Sequence, residues 1–161
     1  MDIATFNELT PEEATELLRP CADVPTWLAE LVTGRPYDDV ASLVTFADAA
    51  ACAWGATEID SALAHHPRIG ERASGGSAEA AMSQAEQSGI SGREQALAEG
   101  NRTYEEIFGR IFLIRAAGRS IDDVLDQLTQ RLDNDPETET AVVAGELREI
   151  AVLRLEGMFT S

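Results

Sequence analysis

Asp38-Asp39-Val40-Ala41-Ser42-Leu43-Val44-Thr45-Phe46-Ala47-Asp48-Ala49-Ala50-Ala51-Cys52-Ala53-Trp54 decides the fold class of this 161-residue chain. Val40, Leu43, Val44, Phe46, Ala47, Ala50 and Trp54 recur at steps that gather on a broad face of a helix and would scatter over both faces of a strand. Gly55 ends the stretch, and a short segment from Glu58 to His65 follows it.

Working outward, helix starts punctuate the chain. Thr10-Pro11-Glu12-Glu13 joins an N-cap threonine, a proline at the first helical position and a capping-box glutamate; that helix stops near Arg19-Pro20. A second runs from about Pro25 through Val32 and ends at Thr33-Gly34-Arg35-Pro36. Residues 70–77 are loop by composition, and Ser77 opens an alanine-rich helix reaching about Gln87. Ser88 to Gly92 breaks it, Ser91 with Glu94 can form a capping box, and the next helix runs through Leu97, Asn101 and Tyr104 towards Phe108. Ser120-Ile121-Asp122-Asp123 starts a helix ending at Asp133-Asn134. Asp135-Pro136 starts a long last one with Val142, Val143, Leu147, Ile150, Leu153 and Leu155 as its apolar stripe. Ile111-Phe112-Leu113-Ile114 could read as a buried strand, but its surroundings offer no partner strand. The expectation is a single compact all-α domain over residues 1–161, with roughly seven to nine helices.

Composition agrees. Apolar residues at 44% and charged residues at 25% give the balance of a globular chain rather than a disordered one. The formal charge is −17 and all twelve basic residues are arginine, so most of the surface repels nucleic acid and anionic membrane. Cys21 and Cys52 are far apart, with no CxxC context and no leader-like start, so reduced thiols in a cytoplasmic protein are expected. No apolar stretch is suited to span a bilayer, and no membrane contact is expected.

Chemistry concentrates in few places. His66-Pro67 follows an apparent helix end; proline disfavours helical backbone at the residue before it, which frees the His66 imidazole to project into a cleft. Imidazole changes charge near neutral pH without a perturbed environment. The alternative is a polar helix terminus in which His65 and His66 merely complement the helix dipole. Ser83-x-x-Glu86-Gln87 sets a hydroxyl, a carboxylate and an amide on one helix face, which either grips a ligand or faces water. Arg154, within Val152-Leu153-Arg154-Leu155, either snorkels to the surface or meets a buried anion. Phe112 to Ala116 follows a glycine and is either core or a segment whose backbone amides serve a ligand. A metal-dependent hydrolase using His65 and His66 would need a spaced His/Asp set that the sequence lacks. A helical interaction module would have no pocket around His66.

In order, His66-Pro67, Ser83-x-x-Glu86-Gln87, Asn101-x-x-Tyr104-x-x-x-Phe108-Gly109-x-x-Phe112-x-Ile114-x-Ala116 and Arg154-Leu155 resemble the 2-oxo-4-hydroxy-4-carboxy-5-ureidoimidazoline (OHCU) decarboxylase family. The likeness runs from about Phe6 to Phe159. It implies an all-α fold, a homodimer, and decarboxylation of OHCU to (S)-allantoin in urate breakdown, with neither metal nor organic cofactor. It implies further that His66 and Glu86 are catalytic. Pro67, the run Ser83, Gln84, Ala85, Glu86 and Gln87, the run Phe112, Leu113, Ile114, Arg115 and Ala116, and Arg154 would contact substrate, the Phe112 to Ala116 run largely through backbone. A related ureido or purine-derived acid is the alternative substrate. Two residues depart from the family's habit: Ile107, where a basic residue is frequent, and Arg115, where a small or apolar one is common.

Overall fold

The computed structural model describes residues 1–64, 66–69, 78–87 and 93–159, the side chains of Ala80 and Gln84 excepted. Among them are nine helices: α1 (Ile3–Glu8), α2 (Pro11–Leu18), α3 (Pro25–Thr33), α4 (Val40–Ala51), α5 (Ala56–Leu63), α6 (Ala78–Glu86), α7 (Glu94–Phe108), α8 (Ile121–Arg131) and α9 (Pro136–Met158). The described residues contain no strand, so the fold is all-α. They form two compact units, Met1–Ala62 with Leu147–Ser161, and Leu63–Glu146.

Local chemistry sets most helix starts. Thr10 and Glu13 close a reciprocal capping box on α2, and Asp39, Ser120 and Asp135 accept backbone N–H groups at the starts of α4, α8 and α9. The Thr10 N–H holds the Glu13 carboxyl below its ordinary range, the Ser42 side chain and N–H do so for Asp39, and the Thr138 N–H for Asp135. A depressed carboxyl stabilises the fold in full above its unfolded pKa and loses that contribution as pH falls through its folded value. The melting temperature should therefore drop on acidification below about pH 4, which a scan of melting temperature against pH checks.

In the first unit, Phe6 of α1 is fully buried and meets Phe159 edge-on with ring centroids 5.2 Å apart. Helix α1 shows no signal in periodicity because it is only six residues long; its Asp2 cap and Phe6 secure it. Trp27 of α3 donates its indole N–H to the Ala47 carbonyl of α4 at 3.0 Å and packs edge-on against Trp54. Helix α4 stops at Ala51, short of Trp54, and its buried stripe is Leu43, Ala47 and Ala51, one residue per turn. Phe46 faces outward, 41% exposed. In α9 the buried stripe is Val143, Leu147, Ile150, Ala151, Arg154 and Leu155, while Leu153 is exposed. The helix turns Leu153 outward and Arg154 inward, so the apolar run in the sequence does not mark the buried face.

In the second unit, Ile69, Leu97, Tyr104, Phe112, Ile114, Ala116, Val124 and Leu128 form one core, flanked by Phe108, Ile121, Leu125 and Leu132. Residues 111–116 are irregular rather than a strand. Gly109 ends α7 at φ +69°, a left-handed conformation that an L side chain adopts only under strain. Arg93, with φ 50°, flanks the start of α7 and its side chain supplies no cap; Ser91 lies outside the described residues. A Cβ at Gly100 of α7 would overlap the buried Leu128 side chain of α8. Gly100→Ala should therefore destabilise by roughly 1–3 kcal/mol, measured by denaturant titration, although alanine is the better helix former.

Candidate active site

His66 sits one turn past α5, its N–H donating to the Leu63 carbonyl at 3.2 Å. Its imidazole is only 5% exposed, and Nε2 lies 3.7 Å from Glu79 Oε1 on α6. The residues after it are moored to α7. Arg68 makes a forked pair with Glu105, Nε to the two carboxylate oxygens at 2.9 and 3.0 Å, and the buried Asn101 donates Nδ2 to the Ile69 carbonyl at 3.0 Å. With Pro67 limiting the backbone before it, these two anchors hold the loop that carries His66. His65 lies outside the described residues.

Helix α6 bears Glu79, Ser83 and Glu86 at steps of four and three, one face of the helix. Ser83 is buried, Glu86 and Gln87 are half-buried and Ala85 is exposed. The side chain of Gln84 lies outside the described residues. Glu79 was not among the residues singled out by sequence. The same i, i+4, i+7 spacing that joins Ser83 and Glu86 could have found it.

Between α7 and α8, Phe112, Leu113, Ile114 and Ala116 are buried and Arg115 is half-buried. Below them Glu139 Oε1 accepts from Tyr104 Oη at 2.5 Å and from Arg131 Nε and Nη2 at 2.8 and 2.5 Å, while Asn134 Nδ2 donates to Oε2 at 3.0 Å. Arg131 spends Nη1 on the Leu113 carbonyl at 2.7 Å and lies over the Phe112 ring. Burial, reinforced by Glu139, pushes the Tyr104 phenol well above its ordinary value, so it stays a neutral donor. No local pattern marks this cluster, whose members come from α7, α8, α9 and the loop before α9.

Arg154 belongs to the first unit. It is 5% exposed and donates Nη1 to the Pro20 carbonyl at 2.9 Å, just past the end of α2. It does not snorkel. Ile107 is 54% exposed, which places that departure from the family's habit on the surface, whereas Arg115 gives its N–H to Glu146 Oε2 at 3.1 Å. Among the described residues no three His, Cys, Asp or Glu side chains converge as a metal site. No single helix among them is long and apolar enough to cross a membrane.

Among the described residues the fold is all-α, and it holds an enclosed imidazole 3.7 Å from a carboxylate. The chain belongs to the OHCU decarboxylase family, whose sequence model matches residues 7–156, and it is thus a carboxy-lyase. Among solved structures it is similar to an OHCU decarboxylase crystallised in the presence of (S)-allantoin, with TM-score 0.73 and 26% identity over 88% of this chain and 95% of that one. It shares its fold with (S)-allantoin synthase, with TM-score 0.69 and 16% identity over 99% of this chain and 54% of that one. The uric acid degradation bifunctional protein TTL of Arabidopsis thaliana is 39% identical over 66 residues, 41% of this chain; the match spans 20% of that relative's length.

Proposed function

We propose that this chain decarboxylates OHCU to (S)-allantoin in urate breakdown. The observation that carries the reading is the enclosed imidazole of His66, set against the helix that also carries Ser83 and Glu86, with Gln87 just past its end. In OHCU the carboxylate sits on a carbon that also bears a hydroxyl, next to a ring imine. When the carbon–carboxylate bond breaks and CO2 leaves, its electron pair moves towards the imine nitrogen, which takes a proton. The resulting enol becomes the ring carbonyl as the neighbouring carbon is protonated. The substrate thus holds its own electron sink, and the protein supplies orientation, proton transfer and the choice of face for the last proton.

In this reading His66 moves the proton, Glu86 and Gln87 engage the ring and ureido amides, Pro67 and the Ser83 and Phe112 to Ala116 segments shape the site, and Arg154 offsets substrate charge. The protein works as a cytoplasmic homodimer without metal or organic cofactor. Freshly made OHCU followed by circular dichroism tests the reaction. Spontaneous decay yields racemic allantoin, so a growing S signal with protein supports the reading and a flat trace defeats it. The rate should be the same with and without EDTA, and light scattering should return twice the chain mass. Activity lost to EDTA and restored by a metal, or a monomer mass in the active sample, would remove the corresponding part.

A further inference from the structure

The peptide groups of the 112–116 segment are engaged unevenly. Leu113 gives its carbonyl to Arg131, Arg115 gives its N–H to Glu146, and the carbonyls of Arg115 and Ala116 accept from Arg119 Nε at 2.8 Å and the Arg119 N–H at 3.1 Å. Ile114, between them, is 5% exposed, and neither its N–H nor its carbonyl has a partner among the described residues. A buried peptide donor and acceptor are costly unless something pairs with them, and among the described residues nothing does so at Ile114. The pattern around Ile114 is specific. The Ile114 N–H lies in the same planar peptide as the Leu113 carbonyl, and the Ile114 carbonyl lies in the same peptide as the Arg115 N–H. In a trans peptide the N–H and C=O point oppositely, so gripping one edge aims the other. Arg131 therefore aims the Ile114 N–H and Glu146 aims the Ile114 carbonyl, and each grip polarises the peptide it holds.

We propose that Arg131 and Glu146 are positioning residues for the reaction: by holding the outer edges of the two peptides flanking Ile114, they present its N–H and carbonyl as a fixed donor–acceptor pair to the amide-like edge of the substrate. This rests on the reading that the 112–116 segment binds substrate through its backbone. Arg131 can do this because Glu139 takes two of its nitrogens, Tyr104 and Asn134 complete the bonding of Glu139, and the Phe112 ring lies against the guanidinium, which leaves Nη1 no alternative to the Leu113 carbonyl. Glu146 is steadied by Arg119, 3.5 Å from its other oxygen. A lysine at 131 would neutralise Glu139 yet lack the fork that reaches both Glu139 and Leu113.

The test is steady-state kinetics with OHCU on Arg131→Lys, Glu146→Leu and Glu146→Gln, each with a melting curve. A grip that binds ground and transition states alike predicts that Arg131→Lys and Glu146→Leu raise KM roughly tenfold with kcat nearly unchanged. Glu146→Gln keeps an oxygen acceptor for the Arg115 N–H and should hold KM near wild type. If Arg131→Lys fails to fold, the Glu146 pair decides alone, since the Glu146 side chain is half-buried whereas that of Arg131 is in the core. Unchanged KM in Glu146→Leu with only a lower melting temperature would overturn the proposal, as would a glutamine variant as poor as the leucine one. Inactivity of the wild type overturns the reaction itself, an outcome separate from active wild type with indifferent variants.

Discussion

His66→Asn is expected to lower turnover of OHCU by about a hundred- to ten-thousandfold, the range lost when a positioned acid–base group is removed. The neighbouring residue provides the control: His65→Ala should leave most activity intact. Because the His66 imidazole is enclosed, its removal also costs packing, so His66→Ala should melt lower than His66→Asn while being equally inactive. Rates read from the S-allantoin signal, with melting curves alongside, separate the two effects. Equal activity in the His65 and His66 variants, or a worse His65 variant, would remove His66 from the catalytic role.

Arg154→Ala should be costly in two ways. Arg154 occupies a core position of α9 and donates to the half-buried Pro20 carbonyl, so truncation opens a cavity and leaves that acceptor without its guanidinium partner, together worth about 2–4 kcal/mol of stability. If Arg154 also meets the charge of the substrate, kcat/KM falls roughly ten- to a hundredfold beyond what unfolding explains. Arg154→Lys distinguishes the roles. Lysine keeps the charge and can still reach a single carbonyl, but it lacks the planar fork that could serve Pro20 and an anion together. The expected result is a near-normal melting temperature with poor kinetics. Wild-type kinetics in the lysine variant would leave Arg154 as a structural tether of the residue that follows α2.

Helix starts were legible because they are local. The Thr10–Glu13 box, the Asp39 cap, the Ser120 cap and the Asp135 turn each close within three residues of chain, and each lies where the sequence places it. Helix α1 escaped because six residues are too few to show a period. The stripes on α4 and α9 are narrower than the spacing predicts: Phe46 and Leu153 carry the right spacing or neighbourhood yet face outward, since apolar residues need not all be buried. Order along the chain, His66-Pro67, Ser83 to Gln87, Phe112 to Ala116 and Arg154, was enough to mark the family, because each piece is a short local pattern.

The sequence by itself determined the all-α class, most helix boundaries and the identity of the candidate chemical groups, since period and capping act over a turn or two. Only the tertiary structure decided what holds those groups. Tyr104 reaches Glu139 across 35 residues, Arg131 reaches Leu113 across 18, Asn101 reaches Ile69 across 32 and Arg154 reaches Pro20 across 134. Such partners share no period, and an arginine in an apolar run reads the same whether it snorkels or is enclosed. Burial settles the difference, because a desolvated guanidinium or peptide group must find its partner wherever the fold brings one.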